Sequence, residues 1–466
     1  MTLISSISGI RGTIGGKAGE NLTPIDIVRF ASAFGTWLAL KSNNKRVIIG
    51  RDARPSGEMI QQLVISTLVG LGFEVVDLGL STTPTVEVAV PEYEAAGGII
   101  LTASHNPVNW NALKLLNLRG EFVTKKDGME ILEIADNEYY QFAQVDELGH
   151  VIRDDTAVQK HIQKILDLQL VDKYAIEKAD LKVVVDGVNS SGGLYVPELL
   201  TALGVKDIVK LNCEPTGWFA HNPEPLKENL GEIMGYIREH GADIGVTVDP
   251  DVDRLVFIDN QGEIFGEEYT LVSVADYVLQ HSKSAVVSNL SSSRALRDIA
   301  EKHGVRYHAA AVGEVNVVDK MKRTDSLIGG EGNGGIIYPA LHYGRDALVG
   351  IALFLSHLVK SGMTCSELRR TYPDYFMEKK KLQLTTGMNV DALLEKFKAH
   401  HEQQQSGEIN TVDGVKVDFD RSWVHLRKSN TEPIIRIYTE AESPELALKL
   451  AEDTLAVLEG MKADIH

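Results

Sequence analysis

Arg46-Val47-Ile48-Ile49-Gly50 is an apolar, β-branched run, and Arg51-Asp52-Ala53-Arg54-Pro55-Ser56-Gly57 behind it has the composition of a turn. Residues 58–72 then place Ile60, Leu63, Val64, Thr67 and Leu68 on one helical face, and 74–78 closes the stretch as a second strand. The plan returns twice. Residues 182–185 form a strand, 186–193 a Gly/Ser turn, 194–203 a helix and 207–211 a strand; 285–289, 291–293, 294–303 and 306–308 repeat it. Strand, turn, helix, strand is a βαβ unit, and three copies predict three related α/β domains.

The last segment reads differently. Residues 379–385 alternate, 389–401 is helical, 416–419, 423–426 and 434–439 are short strands, and 444–461 is a closing helix. Mixed strands and helices predict a smaller α+β domain. Residues 400–407 read as a polar surface loop. The expected domains are 1–150, 151–255, 256–370 and 371–466.

Composition narrows the function. The 466 residues carry 47 Lys and Arg against 65 Asp and Glu, a formal charge of −18. Such a chain repels nucleic acid and anionic lipid, so neither is an expected partner. An anionic small substrate then requires a local cluster of positive charge. No run approaches the roughly 18 apolar residues of a membrane helix. The longest candidate, 347–359, contains Ser356 and His357 and reads as a buried helix. Arg11 interrupts the N-terminus early, so no signal peptide is expected there. Cys213 and Cys365 are too few and too far apart for a disulfide framework, which fits a reducing cytoplasm.

Four segments carry chemistry. Thr102-Ala103-Ser104-His105-Asn106-Pro107 follows the apolar strand 98–101, placing a serine where α/β folds put active sites; alone it also reads as a turn. Asp249-Pro250-Asp251-Val252-Asp253-Arg254 follows the strand 244–248. Three carboxylates at alternate positions converge on one hard cation if the loop curls. An EF-hand is excluded, because Arg254 stands where its Gly belongs and Asn260 where its Glu belongs. Gly330-Glu331-Gly332-Asn333-Gly334-Gly335 matches G-x-G-x-x-G, yet Pro339 spoils the helix that a dinucleotide site needs. A sugar-contacting loop and a flexible turn both fit it. Arg427-Lys428-Ser429-Asn430-Thr431-Glu432-Pro433-Ile434-Ile435-Arg436 gathers donors suited to a phosphate, and it supplies the positive cluster that the global charge lacks.

In this order the four segments resemble the α-D-phosphohexomutase family, and the resemblance spans essentially the whole chain. Residues 9–12 (Gly-Ile-Arg-Gly) resemble the family's N-terminal active-site turn. The resemblance implies an isomerase, of which phosphoglucosamine mutase is the first choice and phosphomannomutase or phosphoglucomutase the alternative. It implies that Ser104 carries a phosphoryl group and that Asp249, Asp251, Asp253 and a phosphate oxygen on Ser104 hold one Mg2+. Lys114 falls at the general acid/base position, with Arg11, His105 and Arg254 beside the moving group. Glu331 and Asn333 are implied as sugar contacts; Arg427, Ser429, Asn430, Thr431 and Arg436 as the grip on the other phosphate. Hexose 1,6-bisphosphate is the implied intermediate and activator, the partner is a phosphosugar, and a monomer or homodimer is expected.

The chain departs from the family pattern in three places. Asn333 and Gly335 replace the usual serine and histidine, which leaves His342 as a substitute histidine; Pro250 and Val252 replace glycines; Asn430 stands where many phosphoglucosamine mutases have Gly. Two other readings are weighed. Asp249-x-Asp251 after a strand resembles an aspartyl-nucleophile phosphatase, but that leaves 102–107 and 427–436 unexplained. A non-catalytic phosphosugar-binding protein would not need both Ser104 and the aspartate triad.

Overall fold

The computed structural model describes residues 2–6, 9–384, 388–429 and 433–462. They form two compact units, residues 1–281 with 333–369, and residues 282–332 with 370–466.

The first unit opens with a mixed sheet of β1 (Ile4–Ser6), β2 (Gly9–Thr13), β3 (Arg46–Arg51), β4 (Glu74–Leu80), β5 (Gly97–Leu101), β6 (Trp110–Leu116) and β7 (His150–Arg153). Its strand order is β1-β2-β6-β5-β3-β4-β7. β3 lies parallel to both β4 and β5, as a βαβ repeat requires, and its four central residues are buried. β6 runs antiparallel between β5 and β2. The second sheet has the order β11-β10-β8-β9, from β8 (Lys182–Asp186), β9 (Asp207–Leu211), β10 (Ile244–Val248) and β11 (Leu255–Ile258).

The helix Ala347–Ser361 is buried continuously from Ala347 to Leu358. It is therefore a core helix, and Phe354 stacks on Phe257 at 3.8 Å between ring centroids. Removing such a side chain typically costs about 3–5 kcal/mol. No helix among the described residues is long and apolar enough to cross a membrane.

In the second unit β12 (Val286–Asn289) lies parallel to β13 (Tyr307–Ala310) and to β14 (Ile328–Glu331). After β15 (Gly335–Ile337), in the first unit, the C-terminal segment builds an antiparallel sheet in the order β16-β20-β19-β18-β17. Its strands are β16 (Phe376–Gln383), β17 (Glu408–Asn410), β18 (Val415–Asp418), β19 (Trp423–Lys428) and β20 (Ile434–Ala441), covered by the helices Val390–Gln404 and Pro444–Lys462. The architecture is thus three α/β domains and a smaller α+β domain. One local reading is corrected: His400 to Gln404 continue the helix instead of forming a loop. The His401 ring packs edge-on against Phe397 at 4.6 Å, and Gln405 ends the helix in a left-handed conformation.

His425 is fully buried in β19. Its Nε2–H donates to the Asp413 carbonyl at 2.6 Å, so Nδ1 accepts from the Ser291 hydroxyl at 3.0 Å. Burial pushes its pKa down to about 4. The sign follows: the unfolded chain takes up this proton near pH 6.5 and the folded chain only near pH 4, so the contribution is intact above pH 6.5 and is lost as pH falls toward 4. The loss amounts to at most about 3 kcal/mol. Urea unfolding at pH 7.5 and 4.5 should show a smaller acid destabilisation in His425→Gln than in the native chain; equal losses would contradict the assignment.

Candidate active site

Ser104 lies just beyond the end of β5 with φ +49° and is almost buried. A serine does not adopt this left-handed conformation readily, so the surroundings must impose it. The Ser104 amide donates to Thr102 Oγ1 at 2.9 Å, and Thr102 donates to Asp52 Oδ2 at 2.7 Å. The buried Arg54 guanidinium donates to the carbonyls of Ser104, Asn106, Pro107 and Trp110, and it pairs with Asp52 at 3.0 Å. One side chain thereby fixes the backbone of the whole loop.

The fixed hydroxyl meets the acidic loop. Ser104 Oγ donates to Asp249 Oδ2 at 2.7 Å. Asp249 Oδ1 accepts the amides of Asp253 and Arg254, each at 3.1 Å, and these bonds curl the loop that follows β10. Val252 takes φ +64° at its apex, a strained conformation for a β-branched residue at a position where the resemblance expects glycine. Asp249, Asp251 and Asp253 are fully buried, and one carboxylate oxygen of each lies within 4.8 Å of the others.

Cations answer these charges. Lys114, on β6, places Nζ 2.6 Å from Asp251 Oδ2 and 3.4 Å from Asp253 Oδ2. Burial works to lower the lysine's pKa, but Asp251 and Asp253 overcome it and hold the amine above its ordinary range, as ammonium. Thr83 Oγ1 also donates to Asp251 Oδ2. Burial likewise works to raise Asp251, yet Lys114 and Thr83 bring it below the usual carboxylate range; Asp249 is pushed well up by burial and by its two acidic neighbours. Asp251 Oδ1 and Asp253 Oδ1 are buried without a hydrogen-bond partner. Orphaned, oxygen-only donors at this spacing fit a hard divalent cation.

The remaining expected residues fall as follows. His105 Nδ1 lies 3.4 Å from Ser104 Oγ; burial and then Arg254 push its pKa to about 4, so the ring is neutral at pH 7. The Arg254 guanidinium meets Glu224 at 3.2 Å. Arg11 is exposed on β2 opposite Ala112, on the sheet face that also bears Lys114. Asn333 Oδ1 accepts the Gly335 amide at 3.3 Å. His342 is held by Asp346 at 3.2 Å and Glu87 at 3.4 Å.

Within the second unit, Glu331 Oε1 accepts from Asn289 Nδ2 at 2.9 Å and from the Gly313 amide at 3.0 Å. Arg427 and Arg436 are direct cross-strand partners on β19 and β20, and Arg427 pairs with Asp413 at 2.9 Å. Ser429 follows β19, its amide donating to Ile434 O at 3.1 Å. Asn430 and Thr431 lie outside the described residues. Arg54, Asp52, Thr83, Glu224 and Arg345 escaped the sequence reading; the strand-end turn 51–57, with two arginines and an aspartate, was the available signal for the first two.

Comparison with known proteins finds relatives along the whole chain. Residues 4–142, 159–262 and 266–375 match the phosphoglucomutase/phosphomannomutase alpha/beta/alpha domains I, II and III, and residues 378–457 match that family's C-terminal domain. A phosphoglucomutase/phosphomannomutase of Thermococcus kodakarensis is 37% identical over 453 residues, covering 96% of this chain and 98% of the relative. A phosphoglucosamine/phosphogalactosamine mutase of Sulfurisphaera tokodaii is 32% identical over 457 residues, covering 97% and 98%. Among solved structures, a phosphoglucomutase/phosphomannomutase family protein of Burkholderia thailandensis shares the fold with a TM-score of 0.85 at 24% identity, covering 100% of this chain and 99% of its own. With four domains matched in sequence and a strand-end serine bonded to a buried aspartate triad, the chain belongs to the phosphoglucomutase/phosphomannomutase family of phosphohexomutases and is an isomerase.

Proposed function

We propose that this enzyme moves a phosphoryl group between O6 and O1 of a hexosamine through phosphoserine at Ser104. The observation that carries the reading is the 2.7 Å contact between Ser104 Oγ and Asp249. The nucleophile and the candidate cation loop are already in register.

A serine carrier divides the isomerisation into two transfers. In the first, the bond between phosphorus and Ser104 Oγ breaks and a sugar hydroxyl oxygen bonds to phosphorus, giving the 1,6-bisphosphate. In the second, the other phosphate of that intermediate returns to Ser104. Lys114, held as ammonium, would give a proton to the departing Ser104 oxygen and take up the sugar hydroxyl's proton in its place. Arg254 brings positive charge toward the phosphoryl oxygens. Asp249, Asp251 and Asp253, with an oxygen of the phosphoserine, would hold one Mg2+. When bound, it supplies charge neutralisation for the moving phosphoryl group.

The sugar is accepted in two orientations by turns. Glu331, fixed through Oε1 by Asn289 and the Gly313 amide, is the carboxylate proposed to meet the sugar hydroxyls, and Arg427, Ser429 and Arg436, with Asn430 and Thr431, bind the phosphate that is not moving. The amino-sugar preference is supported by the Sulfurisphaera relative, whose name includes phosphoglucosamine. Coupled assays with glucosamine, mannose and glucose 6-phosphates and a trace of bisphosphate test it; faster turnover of mannose or glucose phosphate would reassign the substrate.

Arg427→Ala should raise KM by about one to two decades, the worth of a charge-assisted hydrogen bond to a dianion. It should also lower kcat, because a poorly anchored bisphosphate reorients less well or escapes, and added bisphosphate should restore part of the rate. Unchanged kinetics in both Arg427→Ala and Arg436→Ala, with the fold intact by circular dichroism, would remove the phosphate-grip reading.

A further inference from the structure

Gly335 has no room for a side chain: the Arg345 stem is the nearest obstacle, and Asn333 Oδ1 is next at 3.1 Å. A Cβ built there would lie 2.3 Å from Arg345 Cδ and 3.0 Å from Cγ. The Gly335 backbone is not in the left-handed region, so space, not conformation, excludes the side chain. The arginine stem runs through that space, and its guanidinium Nη2 reaches Asp253 Oδ2 at 2.7 Å.

Arg345 is almost buried, and the chain around it is fastened. Arg345 bridges to Ile337, the Asp346 amide donates to Ile336 O at 2.8 Å, and the Ala347 amide donates to Val252 O at 3.2 Å, on the acidic loop itself. Asp346 caps the helix Ala347–Ser361 and is held from outside by His161 Nε2 at 2.9 Å and His342 Nε2 at 3.2 Å. The guanidinium is thus presented to Asp253 by a rigid support.

We infer that Arg345 is a positioning residue of the reaction, occupying the space over Gly335 to hold Asp253 by Oδ2, leave Oδ1 for the cation, and keep a second fixed positive charge beside the acidic loop. This rests on the cation reading of the triad. It has a consequence that mere structural support lacks. A fixed cation next to a divalent ion repels it, so the arginine weakens cation binding while it favours phosphoryl transfer. The two effects should separate on mutation.

Arg345→Met should therefore bind Mn2+, measured by titration followed by electron paramagnetic resonance, about tenfold more tightly than the native enzyme. Its kcat should fall about 10²-fold with little change in KM. Arg345→Lys should return cation affinity toward native and recover part of kcat. Gly335→Ala should move both quantities as Arg345→Met does, because its Cβ displaces the arginine stem. In the Arg345→Met background it should add less than about twofold, since the guanidinium that the displaced stem would carry away is already absent. Weaker Mn2+ binding together with slower turnover would show that Arg345 only shapes the loop, and would overturn the inference. So would multiplicative effects of the two substitutions, or native values in Arg345→Met. Failure of the native enzyme to bind Mn2+ would remove the cation reading and this inference with it, an outcome distinct from native binding without an Arg345 effect.

Discussion

Ser104→Ala is expected to lose turnover by on the order of 10⁴-fold or more, because the proposed carrier of the phosphoryl group is gone. Phosphosugar binding should survive, since the groups proposed to grip the distal phosphate lie elsewhere in the chain. Intact-mass measurement of active native enzyme should show one phosphate that Ser104→Ala lacks and that survives acid. Phosphate that is instead released by hydroxylamine would place the nucleophile on an aspartate. Full activity in the alanine variant would end the serine reading. Ser104→Gly separates chemistry from fold. It should be as inactive as alanine, yet more stable than alanine by about 1 kcal/mol, because glycine adopts the φ of +49° without strain.

The second large effect concerns the aspartate triad. Exhaustive chelation should abolish turnover, and Mg2+ should restore it. An activity-independent signature accompanies this. Any ligand that binds only the folded state stabilises it, by about 2.7 kcal/mol at a hundred times its Kd. Mg2+ should therefore raise the thermal midpoint of the native enzyme, and Asp251→Asn should lose both that rise and roughly 10³-fold in kcat. A variant that keeps the Mg2+-dependent shift, or a chelated native enzyme that still turns over, would contradict the cation assignment.

The fold was legible because its units are local. An apolar strand, a Gly/Ser turn and an amphipathic helix lie within about thirty residues of one another, so the pattern of 46–78 could be read and then found again at 182–211. The chemistry-bearing loops were legible for the same reason. Each follows a buried strand, and Ser104 and Asp249, 145 residues apart, meet because β5 and β10 both end at them.

What stayed hidden acts across the fold. Arg54 works through backbone carbonyls, which leave no mark on the sequence of the loop they belong to. Arg345 is concealed because its significance lies in the empty position at Gly335. His342, expected as a replacement histidine, is engaged by Asp346 and Glu87, and the charge reaching the acidic loop comes from three residues further on. The helix reading stopped at 401 and missed residues 402–404, whose polar side chains carry no apolar periodicity to mark them as helical.

The grip of Arg54 on four loop carbonyls bears on how the catalytic cycle can be interrupted and resumed. Those bonds hold the loop from its backbone side, whereas the proposed phosphate would come and go from the hydroxyl. On the proposed mechanism, losing the bisphosphate to solvent would strip the enzyme of its phosphate without releasing the loop. The dephosphorylated enzyme would remain a template, its serine still aimed, and one molecule of bisphosphate would recharge it without any refolding step. Such an enzyme should show a lag whose length shortens with added bisphosphate and does not depend on how long the uncharged protein has stood.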